Sequence, residues 1–297
     1  MFSFDYTKPK VIAEIGCNHM GQFAFAKELI QLAKDCKADY AKFQKRNNVE
    51  LLTAEQYATP HPAPYNAYGT TYGEHREFLE FSQAQHAELK YYAESIGVGY
   101  ATSVWDVTSA REIIELNPDF IKVPSACNNY YEMLELLRDT YSGEVHVSIG
   151  MTTQHEVEEL ISFFEETGQA RERLIVYSCT SGYPVPFKDI CLLEINRLYS
   201  TFDQRVKEIG FSGHHLGVAI DIAAYTLGAR WIERHFTKDR TWKGTDHAAS
   251  LEMPGMQKLV RDLDATYTAL SFKDKDVLDI EMVQRDKLKY RKASLDL

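Results

Sequence analysis

The chain has 297 residues, 44% hydrophobic and 26% charged, with a formal net charge of −10. That composition suits a globular protein with a large core. Its acidity argues against a nucleic-acid or anionic-membrane surface, while small anionic substrates remain open to it. Five scattered cysteines with no C-x-x-C make no disulfide framework. The start "MFSFDYTKPKVIAEIG" lacks a secretory pattern and no apolar run approaches membrane-spanning length, so a soluble, cytoplasmic protein is expected.

In chain order the strand-like runs are "KVIAEIG" (10–16), "DYAKFQ" (39–44), "VGYATSV" (98–104), "FIKVPS" (120–125), "EVHVSIG" (144–150), "LIVYSCT" (174–180), "EIGFSGH" (208–214) and "WIERHFT" (231–237). Amphipathic helical stretches separate them, such as 153–167, and a last one begins near Met253. This alternation predicts a parallel sheet. Eight strands with eight helices predict closure into a single-domain (β/α)8 TIM barrel over 1–272. No G-x-G-x-x-G follows the first strand, so a doubly wound dinucleotide-binding sheet loses its main support.

One connection is long. Residues 45–74 carry Pro60, Pro62, Pro64 and many tyrosines, and they leave the C-terminal end of the second strand. Loops of that length are usually functional or disordered, and the aromatic content reads as a lid. The charged segment 273–297 reads as a tail over the outside of the barrel.

Residues two apart on a strand share a face. The helix-facing set must be apolar, which assigns Glu14, Lys42, Gln44, Lys122, Ser148, His214, Glu233 and His235 to the barrel interior. A barrel serving only as scaffold fills that space with Val, Ile and Leu. Burying so many ionisable groups is costly unless they pair or meet a ligand. The set therefore reads as an active site.

His214 and His235 stand at the ends of consecutive strands, which run about 4.8 Å apart, so both imidazoles can share one metal. Glu233 or Asp246 is expected to complete or orient that pair, and His215 points to the opposite side. The two lysines, with Ser103 and Ser125 at strand ends, suit a carboxylate or phosphate. A Schiff-base role for Lys42 or Lys122, as in lysine-dependent aldolases, also fits these residues. So does a non-catalytic barrel that binds a sugar acid.

The stretches "IAEIGCNHMG" (12–21), "AKFQ" (41–44), "IKVPSACNN" (121–129), "SIGMTT" (148–153), "CTSGYPVP" (179–186), "ERHFT" (233–237) and "GTDHAASLE" (244–252) follow in order along the chain. Together they resemble the sialic acid (N-acetylneuraminate) synthases, which condense phosphoenolpyruvate with an aldose to a 2-keto-3-deoxy acid. The resemblance implies a divalent ion, Mn2+ or Mg2+, on His214 and His235. It implies phosphoenolpyruvate contacts from Lys42, Gln44, Ser103, Lys122, Ser125, Ser148, Ser181 and Ser212. It places Glu14, Tyr183, Glu233 and Asp246 around the reacting aldehyde and its water. N-acetylmannosamine is the default acceptor that it suggests.

There are departures. Many relatives read Ser-Asp-His where this chain has Ser212-Gly213-His214, and Cys17 stands where relatives often carry an apolar residue. A thiol at Cys17 is either a metal ligand or a plain buried cysteine. Relatives usually continue into an antifreeze-like domain that reaches across a homodimer, whereas the segment "EMVQRDKLKYRKASLDL" resembles the linker to it. A separate capping chain, the 45–74 segment, or an acceptor without an N-acyl group would each account for that difference.

Overall fold

The computed structural model describes residues 6–290. Eight parallel strands close into a barrel in sequence order: β1 (Lys10–Gly16), β2 (Tyr40–Lys45), β3 (Gly99–Val104), β4 (Phe120–Val123), β5 (Glu144–Ser148), β6 (Leu174–Cys179), β7 (Glu208–Gly213) and β8 (Trp231–His235). The last seam joins β1 to β8 with Glu14 opposite His235. Strand ends differ from the sequence expectation by a residue or two, because ladder pairing ends where the loops begin.

Outward-facing Val11, Ala13, Ile15, Ala41 and Phe43 are buried beneath the helices. The helix Phe23–Asp35 answers them with Ala26, Leu29, Ile30 and Ala33, a spacing that keeps one face on the core. Helix starts are set locally. Capping boxes at Ser82/Gln85 and Thr153/Glu156 begin the helices Gln83–Ser95 and Gln154–Glu165 by satisfying amides that have no partner within the helix.

Inside the barrel the lower layer is apolar. Ile12, Ala101, Phe120, Ile175, Tyr177 and Trp231 pack as one cluster with Tyr40 against it. His146 stacks on Phe120 with ring centroids 3.9 Å apart. This plug is the floor on which the polar upper layer stands.

The 45–74 segment departs from its expected loop form. It folds into short helices Asn48–Leu51 and Ala54–Ala58 and a 3-10 turn Pro64–Asn66, and runs into the helix Tyr72–Phe78. Capping boxes Thr53/Gln56 and Thr71/Glu74 start two of these helices. The Tyr68 hydroxyl donates to the Lys243 carbonyl, and the Gly244 amide donates to Asn66 Oδ1 at 3.4 Å. The segment is thereby pinned to the loop after β8.

At the other end, the helix Asp279–Leu288 buries none of its residues. Residues 291–297, the end of the expected tail, lie outside the described residues. No helix among the described residues is long and apolar enough to cross a membrane.

Candidate active site

A cavity of about 340 Å³ opens at the C-terminal ends of the strands, where barrels of this kind carry their chemistry. Every sequence-predicted site residue lines it except Asp246: Glu14, Lys42, Gln44, Ser103, Lys122, Ser125, Ser148, Ser181, Tyr183, Ser212, His214, Glu233 and His235. Asp246 stands beside it, its Oδ2 4.0 Å from His235 Nδ1. No residue of 45–74 lines the cavity, so the expected lid is instead a brace on the rim.

The floor is a charge network. Lys42 Nζ lies 2.6 Å from Glu14 Oε2 and 3.6 Å from Glu233 Oε2, and donates to Ser103 Oγ at 2.7 Å. Lys122 Nζ donates to Glu233 Oε1 at 2.8 Å and sits 3.7 Å over the Tyr177 ring. Ser212 Oγ donates to the same Glu233 oxygen at 3.0 Å, and Gln44 Nε2 donates to Glu14 Oε1 at 3.0 Å. All four charged side chains are buried.

Burial opposes the ionised form of Glu233, but Lys122 and Lys42 outweigh it and hold the carboxyl well below its usual range. Glu14 goes the other way: burial raises it, and Glu233 beside it raises it further against the pull of Lys42. Burial also lowers Lys122. Two neighbouring carboxyls thus have opposite protonation tendencies, a pattern typical of acid–base sites.

Gly16 and Gly150 shape the walls. Gly16 has φ +53°, and a Cβ there would lie 3.0 Å from Gln44 Nε2 and 3.2 Å from Glu14 Oε1. At Gly150 a Cβ would meet Ser181 Oγ at 2.5 Å and Ser125 Oγ at 2.9 Å, so only glycine lets these hydroxyls converge. The Gly150 amide itself donates to Ser125 Oγ at 2.9 Å.

His214 and His235 face each other with ring centroids 5.4 Å apart, and the Tyr183 ring lies 4.3 Å from His214. His214 Nδ1 is 3.0 Å from the Thr180 carbonyl, so that nitrogen carries the proton and Nε2 keeps its lone pair. Burial, then His235, lowers His214 to about 4, which keeps it neutral. His235 Nδ1 is buried with no hydrogen-bond partner. A neutral His214 beside His235, whose buried Nδ1 is unpartnered, makes a pair of ligand-type groups for a divalent ion.

Glu233 is taken by Lys122 and Ser212, and among the described residues no three His, Cys, Asp or Glu side chains converge on one point. His215 faces away, its Nε2 3.3 Å from Asp221 Oδ2 beneath the fully buried Arg234. Cys17 accepts from Arg46 Nη2 at 2.9 Å, and burial pushes its thiol up to about 12, so it stays protonated.

Cys179 and Trp105 also line the cavity and were not foreseen. Cys179 shares a face with Tyr177 on β6, so the same alternation rule could have found it. Trp105 lies just beyond β3, where the rule says nothing.

The profile of the NeuB family matches residues 29–275. The chain belongs to the NeuB family. Human N-acetylneuraminate-9-phosphate synthase is 37% identical over 94% of this chain and 76% of that protein. N,N'-diacetyllegionaminic acid synthase of Campylobacter jejuni is 30% identical over 85% of this chain and 74% of its own length. Among solved structures, N-acetylneuraminic acid (sialic acid) synthetase from Leptospira borgpetersenii serovar Hardjo-bovis, in complex with citrate, superposes with a TM-score of 0.77 at 26% identity, covering 96% of this chain and 94% of that one. This NeuB-family chain is a synthase of the phosphoenolpyruvate-condensing, nonulosonic-acid type.

Proposed function

We propose that this NeuB-family synthase condenses phosphoenolpyruvate with N-acetylmannosamine or a related hexose, giving a 2-keto-3-deoxy nonulosonic acid and phosphate. The observation that carries the reading is the single cavity where Lys42, Lys122 and the converging serines face the His214–His235 pair. One half suits an anion and the other an aldehyde oxygen. The barrel over 1–272 is the catalytic unit in this reading, 273–297 is a linker-like tail, and the setting is cytoplasmic.

The anion half is held by Lys42, Lys122, Gln44, Ser103, Ser125, Ser148, Ser181 and Ser212. The lysines stabilise charge on the phosphate and carboxylate in a site shielded from water. As the structure stands, both lysines are balanced by Glu14 and Glu233. An incoming phosphoenolpyruvate therefore brings unbalanced negative charge, which a divalent cation offsets.

His214 and His235 would hold that ion, Mn2+ or Mg2+, and the free Nε2 of His214 and the unpartnered Nδ1 of His235 fit it. When bound it supplies Lewis-acid polarisation of the sugar aldehyde. Tyr183 and Asp246, beside the histidines, orient the acceptor.

The C3 carbon of phosphoenolpyruvate forms the new bond to the aldehyde carbon, and the aldehyde oxygen takes up a proton. Water then adds to the electron-poor C2. Glu14, whose carboxyl is raised by burial, accepts the proton that this water loses. Glu233 holds both lysines in place and stays ionised. The C2–O bond to phosphate breaks and releases phosphate and the keto acid.

The test is phosphate release from phosphoenolpyruvate across a panel of aldoses with manganese, with and without chelator. Chelator-sensitive release with one aldose, yielding a 2-keto-3-deoxy acid, is the expected result. No release with any aldose, from protein that binds neither manganese nor phosphoenolpyruvate, would overturn the reading.

A further inference from the structure

The lower layer of the barrel carries polar side chains that the proposed reaction leaves unused. Tyr177 on β6 and His146 on β5 are both fully buried, and neither lines the cavity. The Tyr177 ring nonetheless lies directly beneath the cavity floor, its centre 3.7 Å from Lys122 Nζ. Gly210 on β7 makes the space for it, since a Cβ there would stand 2.6 Å from Tyr177 Cε1 and 2.7 Å from Cδ1.

The ring is held from below. Burial keeps the Tyr177 phenol protonated and lowers His146 to about 4, so the imidazole is neutral. The phenol donates to His146 Nδ1 at 2.8 Å, which leaves the imidazole proton on Nε2, 3.2 Å from Glu144 Oε2. Burial opposes ionisation of Glu144, but His146 and Lys207 outweigh it and hold the carboxyl at about 2. The other Glu144 oxygen lies 2.5 Å from Lys207 Nζ. The His146 ring stacks on Phe120 and meets the Trp231 ring edge-on at 4.6 Å. A continuous chain of polar contacts thus runs from the start of β5 up to the ring beneath Lys122.

Lys122 needs such a ring more than Lys42 does. Burial opposes both ammonium groups; at Lys42 the pull of Glu14 and Glu233 outweighs it, whereas at Lys122 that of Glu233 does not. An aromatic face attracts a cation most strongly where water is excluded. Of the three ammonium hydrogens, one serves Glu233 and one the ring, which leaves the third for a guest in the cavity. We propose that Tyr177, anchored by His146 and Glu144, is a positioning residue whose ring face fixes the Lys122 ammonium where it meets phosphoenolpyruvate. This rests on the reading of Lys122 as a phosphoenolpyruvate contact.

Calorimetry of phosphoenolpyruvate binding, with manganese and no aldose, tests it without turnover. Tyr177→Phe and its analogues with one, three or five ring fluorines keep the ring and progressively weaken the negative potential of its face. The Kd for phosphoenolpyruvate is expected to rise stepwise, by about tenfold at five fluorines. The KM for phosphoenolpyruvate follows it, while the aldose KM stays in place. A merely structural ring would show no such fluorine dependence. His146→Phe keeps the stack on Phe120 but strands the phenol, and it raises the same Kd. Adding Tyr177→Phe removes the stranded hydroxyl and recovers the binding of Tyr177→Phe alone. A flat fluorine series, or equal losses for both substrates, overturns the proposal. Lys122→Met reports on the reading beneath it. Lost phosphoenolpyruvate binding in that variant with a flat fluorine series removes only the role of the ring. Unchanged binding in Lys122→Met removes Lys122 from the anion half, and the role of the ring with it.

Discussion

Lys122 and Glu233, 111 positions apart in the chain, meet at 2.8 Å on the floor of the cavity, each almost fully buried. Glu233 also faces Lys42 at 3.6 Å, so one carboxylate sets the position of both lysines. Removing one partner of a buried pair leaves an uncompensated charge. Lys122→Met is therefore expected to cost about 3 kcal/mol of stability and to abolish phosphate release. The double variant Lys122→Met with Glu233→Met should recover most of the stability and none of the activity. Urea unfolding and a phosphate assay read the two effects separately. Activity in the double variant would remove these residues from the site.

Gly150 separates binding from folding. Gly150→Ala puts a methyl against Ser181 Oγ and Ser125 Oγ and turns both hydroxyls away from the cavity. Losing a hydrogen bond to a charged ligand should raise the KM for phosphoenolpyruvate about tenfold, with the acceptor KM little changed. An unchanged KM would mean that these serines do not hold the anion.

Metal dependence follows from the histidine pair. Exhaustive chelation should silence phosphate release, and added Mn2+ or Mg2+ should restore it. His235→Ala should bind manganese weakly and resist restoration, as followed by electron paramagnetic resonance of the free ion. Full activity after chelation would exclude the metal reading.

Buried histidines set the acid limit of stability. Burial lowers His19 and His86 from 6.5 to about 3 each, and His146 from 6.5 to about 4. The folded pKa values lie below the unfolded ones, so unfolding takes up protons in that window. Their contribution is fully present above about pH 6.5 and is lost as the pH falls toward 4 for His146 and toward 3 for His19 and His86. Each excluded proton is worth about 1.4 kcal/mol per pH unit across that window. Unfolding at pH 7, 6 and 5 should show midpoints falling steadily. A flat profile would mean that these rings are protonated in the fold.

The segment 45–74 shows where reading by composition fails. Prolines and tyrosines suggested a loose lid, while Thr53 with Gln56 and Thr71 with Glu74 already marked helix starts. His146 shares a face with Ser148 by the same rule that places Lys122 inward, but it stacks in the apolar floor. Alternation tells inside from outside and is silent on depth along the barrel axis. Arg46 and Trp105 lie beyond the strand ends, where no periodicity reports on them.

By itself the sequence determined the strand and helix alternation, the closed parallel barrel and the inward set around Lys42, Lys122, His214 and His235. Those properties follow from periods of two and 3.6 residues, which are local. Only the tertiary structure decided that Glu233 answers two lysines, that Gln44 reaches Glu14 across the β1–β2 seam, and that Asp246 comes to stand beside His235. Such pairings depend on how the strands register on closing and on which loop end meets which. No local pattern encodes that distance across the barrel.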